Sequence, residues 1–187
     1  MSRGAIVAGF AALEAALEGA RGREEARERP DGWCAREIAE HVALTDLYLL
    51  RLARTCADKC RSRAARGAAT PRQATVEATE LARCASALFR WEAPDHMRPT
   101  GAATLAASLA TIAAQRDEAL LLWDELCAGE APAGRLHDVA MGVLGPGARI
   151  ALPELLVFLA LHAERHARQV ERAARADRDR PAGGRQL

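Results

Sequence analysis

Long apolar runs are missing. No segment of the 187 residues approaches the roughly 18 uninterrupted apolar residues that a membrane span needs. The N-terminus also lacks the basic, apolar and small-residue layout of a signal peptide, so the expectation is a cytoplasmic protein with no membrane partner. An excess of charge of one sign is missing too. Against 26 basic residues stand 25 acidic ones, and a formal charge of +1 gives no global field to draw the chain to nucleic acid. Lysine is almost absent, Lys59 being the only one, and the matching excess of Arg and Ala is a compositional bias to which no function attaches. Cysteine is sparse and odd in number: five thiols without dense spacing argue against a disulfide framework and for the reduced state. Cys56 and Cys60, one helical turn apart, could share a metal or respond to oxidation, but free half-buried thiols are the simpler reading. Alternation with period two nowhere lasts long enough to suggest a sheet.

What is present is helical periodicity. Half of the residues are hydrophobic, which suits one domain with a sizeable core over 1–176, followed by a charged, Gly-rich and mobile tail over 177–187. The pattern predicts an all-α fold of four main helices and one accessory helix. Ser2 caps a first helix reaching about residue 26, with Ile6, Phe10, Leu13 and Leu17 within about 60° of one another and 21–29 as its solvated end. Pro30, Asp31 and Gly32 break the chain. Trp33 and Ile38 then form a hydrophobic staple for a second helix over about 35–63, where Glu37 is the capping-box acid and Cys34 replaces the usual Ser or Thr. Cys34, Ile38, His41, Thr45, Tyr48 and Leu52 share one face of it. Ala43, Leu47 and Leu50 make a second apolar strip, which predicts a homodimer contact or an extra packed helix.

Thr70-Pro71-Arg72-Gln73 reads as a capping box with Pro at N1, opening the accessory helix to about Trp91 with Ala74, Ala78, Leu81, Ala85 and Leu88 inward. Pro94, Pro99 and Gly101 mark a loop in which His96 is solvated. A further helix over about 103–128 carries Leu105, Leu109, Ile112, Trp123 and Cys127 on one stripe, and Arg116 lies on that stripe. A guanidinium there either pairs with a carboxylate such as Glu37 or faces a polar cavity that takes an anionic group. Residues 129–151 are rich in Gly and Pro, and His137 among them is too loosely constrained to be assigned as a ligand.

The last helix, over about 152–174 with Pro153 near its start, is the most informative. At 100° per residue Leu155, Phe158, Leu159, His162, His166 and Gln169 fall within about 100° of one another, whereas Glu164, Arg165, Arg168, Glu171 and Arg172 form the face given to water. Two imidazoles at i, i+4 are stacked roughly 6 Å apart along the axis and can reach one cation. The competing reading is a pair of core histidines, each bonded to a carbonyl or carboxylate. His41 supplies a third imidazole on an inward face.

His41 within WCAREIAEHVALTDLYLL, followed about 120 residues later by LHAERHARQV, resembles the DinB-like family of four-helix-bundle metalloenzymes, which includes YfiT-type proteins and thiol-dependent S-transferases. The matching positions are Trp33, Glu37, Ile38 and His41, then His162, His166, Gln169 and Val170, and the resemblance extends over most of 4–174. Cys34 stands for the family's common Ser and Val42 for its usual Leu. The Thr or Ser before the last helix is absent, and the second helix carries an Arg- and Cys-rich extension over 51–63. The resemblance implies an up-down-down-up bundle in which His41, His162 and His166 ligate one divalent metal, zinc or nickel ahead of iron or manganese. It further implies a small-molecule substrate, with a low-molecular-weight thiol as a possible co-substrate. Gln169 would orient an imidazole, and Arg116, Tyr48 and Thr45 are the candidates for holding substrate. A non-catalytic metal-binding or stress-response bundle acting through association is the alternative of different class.

Overall fold

Among the described residues five α-helices follow in order: α1 (Arg3–Gly19), α2 (Ala35–Ala65), α3 (Ala78–Ala82), α4 (Leu105–Leu126) and α5 (Leu152–Arg178). The computed structural model describes residues 2–68, 70–71, 74–86, 92–129 and 132–178. The fold is mostly helical, as the periodicity predicts. Ser2 Oγ accepts from the Ala5 N–H and Thr104 Oγ1 from the Ala107 N–H, capping α1 and α4. Glu37 Oε2 accepts from the Cys34 N–H at 2.9 Å, so the capping box of α2 works through its acidic half. α1 and α2 each pack against both α4 and α5, which places α5 between the first two helices.

The apolar stripes of α1 and α4 are buried as expected, while α5 is buried all round from Leu152 to Ala160. The inward face of α2 holds for Cys34, Ile38, His41 and Thr45 and then turns, so that Tyr48 is exposed and Leu49, Ala53, Cys56 and Cys60 enter the core instead. A straight helix drifts against any fixed repeat, and over 31 residues the drift moves the core to a different face. Leu50 is fully enclosed within the chain whereas Leu47 is exposed, so the second apolar strip is not continuous at the surface. Two arginines of the 51–63 extension pair across to α4, Arg54 with Glu118 and Arg61 with Glu125. Its cysteines face inward and are fully buried rather than half-buried. Cys56 Sγ lies 3.7 Å from the His137 carbonyl oxygen, and Cys60 Sγ lies 3.5 Å from that of Gly134.

Three expectations are corrected. α1 ends at Gly19, not near residue 26. The charged run that follows folds back on α2, with the Arg36 N–H donating to the Glu24 carbonyl and Arg27 forking onto Glu37 at 2.7 and 3.1 Å. Residues 74–77 are not helical, because Thr75 spends its backbone and hydroxyl groups on Arg149: the Thr75 N–H donates to the Arg149 carbonyl at 2.9 Å and Thr75 Oγ1 accepts from the Arg149 N–H at 2.9 Å. α3 therefore starts only at Ala78, keeps Leu81 inward and passes into a 3₁₀ turn at Arg83–Ala85. Arg72, Gln73, Leu88 and Trp91 lie outside the described residues, as does 179–187 of the expected tail. Finally, a two-stranded antiparallel hairpin, β1 (Asp138–Ala140) with β2 (Arg149–Ala151), precedes α5. Three residues per strand are too few to leave a period-two signature.

The tightest contact lies between α1 and α5. A Cβ on Gly9 would stand 2.4 Å from the Ala160 carbonyl oxygen, whereas one on Gly4 would meet nothing nearer than 3.7 Å. Gly9→Ala is expected to destabilise the protein by about 1–3 kcal/mol through overpacking. Gly4→Ala, on an exposed turn of the same helix, should stabilise by about 0.5–1 kcal/mol through helix propensity. Urea unfolding midpoints of the two variants against the parent check both signs.

Candidate metal centre

His41 comes from the second turn of α2, and His162 and His166 from successive turns of α5. All three are buried, none more than 5% exposed. One nitrogen from each ring lies within 4.8 Å of the other two. The ring centroids are 4.5 to 5.3 Å apart and the rings meet edge to face, so they surround a common point rather than stacking. The inward faces predicted for the three histidines are therefore the observed ones, and the structure brings them together.

Each Nδ1 is turned away from that point onto the surrounding shell. His41 Nδ1 donates to the Met97 carbonyl at 2.7 Å, and His166 Nδ1 donates to Gln169 Oε1 at 3.0 Å. His162 Nδ1 faces Asp46 Oδ1 at 3.8 Å. With Nδ1 protonated, His41 and His166 are left with their lone pairs on Nε2. Gln169, a polar residue of the α5 stripe, is thus the hydrogen-bond partner of His166. Met97 is delivered by a clamp that the sequence did not reveal. Glu40, beside His41, accepts from the Thr100 N–H and hydroxyl at 3.1 and 2.6 Å and from the Gly101 N–H at 2.8 Å, pinning the loop that carries Met97 onto α2.

Asp46 is the other residue that pattern reading passed over. It is fully enclosed, and neither carboxylate oxygen has a hydrogen-bond partner among the described residues. Its signal was an acid set between Thr45 and Leu49 on the buried side of a helix, where an unpaired charge is costly.

A cavity of about 120 Å³ opens on the three rings. Trp33, 4.7 Å from the His41 ring centroid, together with Ala93, Pro94 and Met97 forms its apolar wall, and Thr45, Arg165 and Gln169 line it with polar groups. Thr45 Oγ1 is 3.5 Å from His41 Nδ1. Of the other substrate candidates, Tyr48 is exposed and tilts over His96 outside the cavity. Arg116 also stands outside it: Nη1 reaches both oxygens of Glu14 on α1 at 2.7 and 2.8 Å, and Nε reaches Asp117 at 2.9 Å. The structural alternative for Arg116 is the observed one, with Glu14 as partner because Glu37 is taken by Arg27. Arg165, read as a water-facing residue, is instead half-buried against the site.

Burial dominates the electrostatics. It pushes His162 and His166 well below the ordinary imidazole value and lowers His41, where the Met97 carbonyl works in the opposite direction; the neighbouring rings and Arg165 lower them further. Burial equally pushes the Asp46 carboxyl well above the usual carboxylate range, toward its neutral form. His162 and His166 present Nε2 to Nε2 at 3.1 Å. Two lone pairs at that distance repel, so in the metal-free protein His162 carries its proton on Nε2 and donates it to His166.

For the metal-free protein the pH dependence has a definite sign. The unfolded chain protonates its imidazoles near pH 6.5, but the folded chain resists, so stability is complete above about pH 6.5 and falls as the pH drops below it. Each imidazole that stays neutral adds roughly 1.4 kcal/mol per pH unit to that slope. Asp46 acts oppositely, weakening the fold at neutral pH where the unfolded chain releases its proton freely. Asp46→Asn should therefore stabilise the metal-free protein at neutral pH, by less as the pH falls. Urea titrations between about pH 4 and pH 8 measure both effects.

Comparison with protein-family profiles, with curated proteins and with solved structures returns no match to this chain, so its chemistry is argued from the geometry above.

Proposed function

We propose that the chain is a DinB-like four-helix bundle of up-down-down-up connection whose His41, His162 and His166 hold one divalent metal ion for thiol transfer or hydrolysis on a small molecule. The observation that carries this reading is the convergence of three buried imidazoles whose outward nitrogens are directed at Met97, Asp46 and Gln169. Carbonyl, carboxylate and amide acceptors behind the rings are the supports by which metal-ligating histidines are held in tautomer and orientation. A buried carboxylate without a hydrogen-bond partner also fits a neighbouring cation, since such an ion compensates the charge that burial otherwise suppresses.

Three neutral nitrogen donors leave coordination positions free, the pattern of catalytic rather than closed structural sites. Imidazole ligation suits zinc and nickel, with iron and manganese also compatible. When bound, such an ion supplies Lewis acidity that makes a thiol or a water nucleophilic near neutral pH. The chain's own residues do the rest. With its proton on Nδ1, toward Asp46 Oδ1 at 3.8 Å, His162 would present its lone pair inward from Nε2. Trp33, Pro94 and Met97 keep bulk water from the rings, and the Thr45 hydroxyl offers a rotatable donor or acceptor to a group entering the cavity.

Elemental analysis of protein purified without chelator or tag-derived metal should find close to one divalent ion per chain, and none in His162→Ala; an unchanged content in that variant would place the ligands elsewhere. Asp46→Asn should lower zinc affinity by about 10- to 100-fold in a competitive chelator titration while folding at least as well as the parent. A panel of bacterial thiols with a chloro-nitro-arene electrophile should give conjugation that disappears in His162→Ala. Absence of turnover with every thiol would set the transferase branch aside and leave hydrolysis.

A further inference from the structure

The cavity over the three imidazoles contains one fixed positive charge that the metal reading does not use. Arg165 is half-buried in its wall, one residue before His166, and no carboxylate among the described residues pairs with it. The acids nearest to it along α5 are engaged elsewhere, Glu164 with Arg168 and Glu171 with Arg175. This sets it apart from Arg116, Arg27 and Arg36, each of which has its own acid. Half-burial strips water from this guanidinium without supplying a carboxylate, a cost that an anion in the cavity would offset. A guanidinium remains charged in proteins and offers a planar fork of donors that matches a carboxylate in a bidentate pair.

We propose that Arg165 anchors a carboxylate of the substrate, and that the site therefore acts on a small organic acid rather than on a neutral molecule. Cavity size and lining favour this ligand. About 120 Å³ is the room of roughly four water molecules, enough for a carboxylate on a short carbon skeleton, and Trp33, Ala93, Pro94 and Met97 give that skeleton an apolar wall. Charge points the same way. A divalent ion, the Arg165 cation and an ionised Asp46 leave two positive charges, which one anionic nucleophile and one monocarboxylate neutralise. A phosphate dianion would overshoot and, among the described residues lining the cavity, would have only this one guanidinium to meet its oxygens.

The inference rests on the metal reading of the same pocket, and the test separates the two. Zinc-loaded and metal-free protein are titrated with propionate, propionamide and inorganic phosphate, followed by ligand-observed NMR. Propionate should bind about tenfold or more tightly than propionamide, the difference expected for a charge-assisted pair. Arg165→Gln should remove that preference while retaining zinc stoichiometry and thermal midpoint, and Arg165→Lys, which keeps the charge but not the fork, should fall between. Equal binding of acid and amide by the parent, or full retention of the preference in Arg165→Gln, would overturn the proposal, as would phosphate binding more tightly than propionate. If the parent takes up no zinc yet its metal-free form still prefers propionate to propionamide, the metal reading fails and the Arg165 assignment stands. Zinc uptake without any preference for the acid sinks the Arg165 assignment alone.

Discussion

The arrangement depends on one constraint, the burial of three imidazoles against one another. A buried ring with an unmet polar nitrogen is expensive, so each outward nitrogen needs an acceptor brought to it, and each inward one needs a proton or a cation to share. Much of the local structure serves that requirement. Glu40 ties Thr100 and Gly101 to α2, and this sets the Met97 carbonyl on His41. Gln169, two turns beyond His162 and three residues past His166, closes the second ring. Asp46 stands behind the third, 3.8 Å from His162 Nδ1, and among the described residues its own carboxylate oxygens are left without a hydrogen-bond partner, an incomplete satisfaction.

That incompleteness is informative about how stability and function are divided. A fully buried carboxyl with two unpartnered oxygens weakens the metal-free fold, and the three suppressed imidazoles weaken it further on acidification. The opposing contribution comes from the enclosed first turns of α5 and from the close passage of α1 over Ala160, which only glycine at position 9 permits. The polar centre is thus carried on the rear half of a helix whose front half is the most deeply packed part of the molecule. A site built this way is held on rigid elements, and the cavity above it is closed by a loop and a tryptophan rather than by further helix.

The helices and their inward faces were legible because amphipathic periodicity is a local property. Ile6, Phe10, Leu13 and Leu17, or Leu155, Phe158 and Leu159, report their common face through spacing alone, and the same spacing placed His41, His162 and His166 inward. Legibility ended where a group's partner is distant in the chain. Thr75 is kept from helix by Arg149, 74 residues along the chain, which no window of about 15 residues contains. The two arginines exchange roles for the same reason. Arg116, on a buried stripe, is neutralised by an acid 102 residues earlier, while Arg165, on the face assigned to water, lines the same cavity as Ala93 and Pro94.

By itself, then, the sequence determined the helical class, the stripe of each long helix and the identity of three inward imidazoles, because these follow from side-chain chemistry repeated at a fixed rise and turn. Only the tertiary structure decided that the three rings meet at one point, that Met97, Asp46 and Gln169 stand behind them, and that Arg165 rather than Arg116 faces the cavity. Those outcomes depend on the relative placement of α2, α5 and the loop before α4, a matter of packing between segments some 60 to 120 residues apart, which no local pattern encodes.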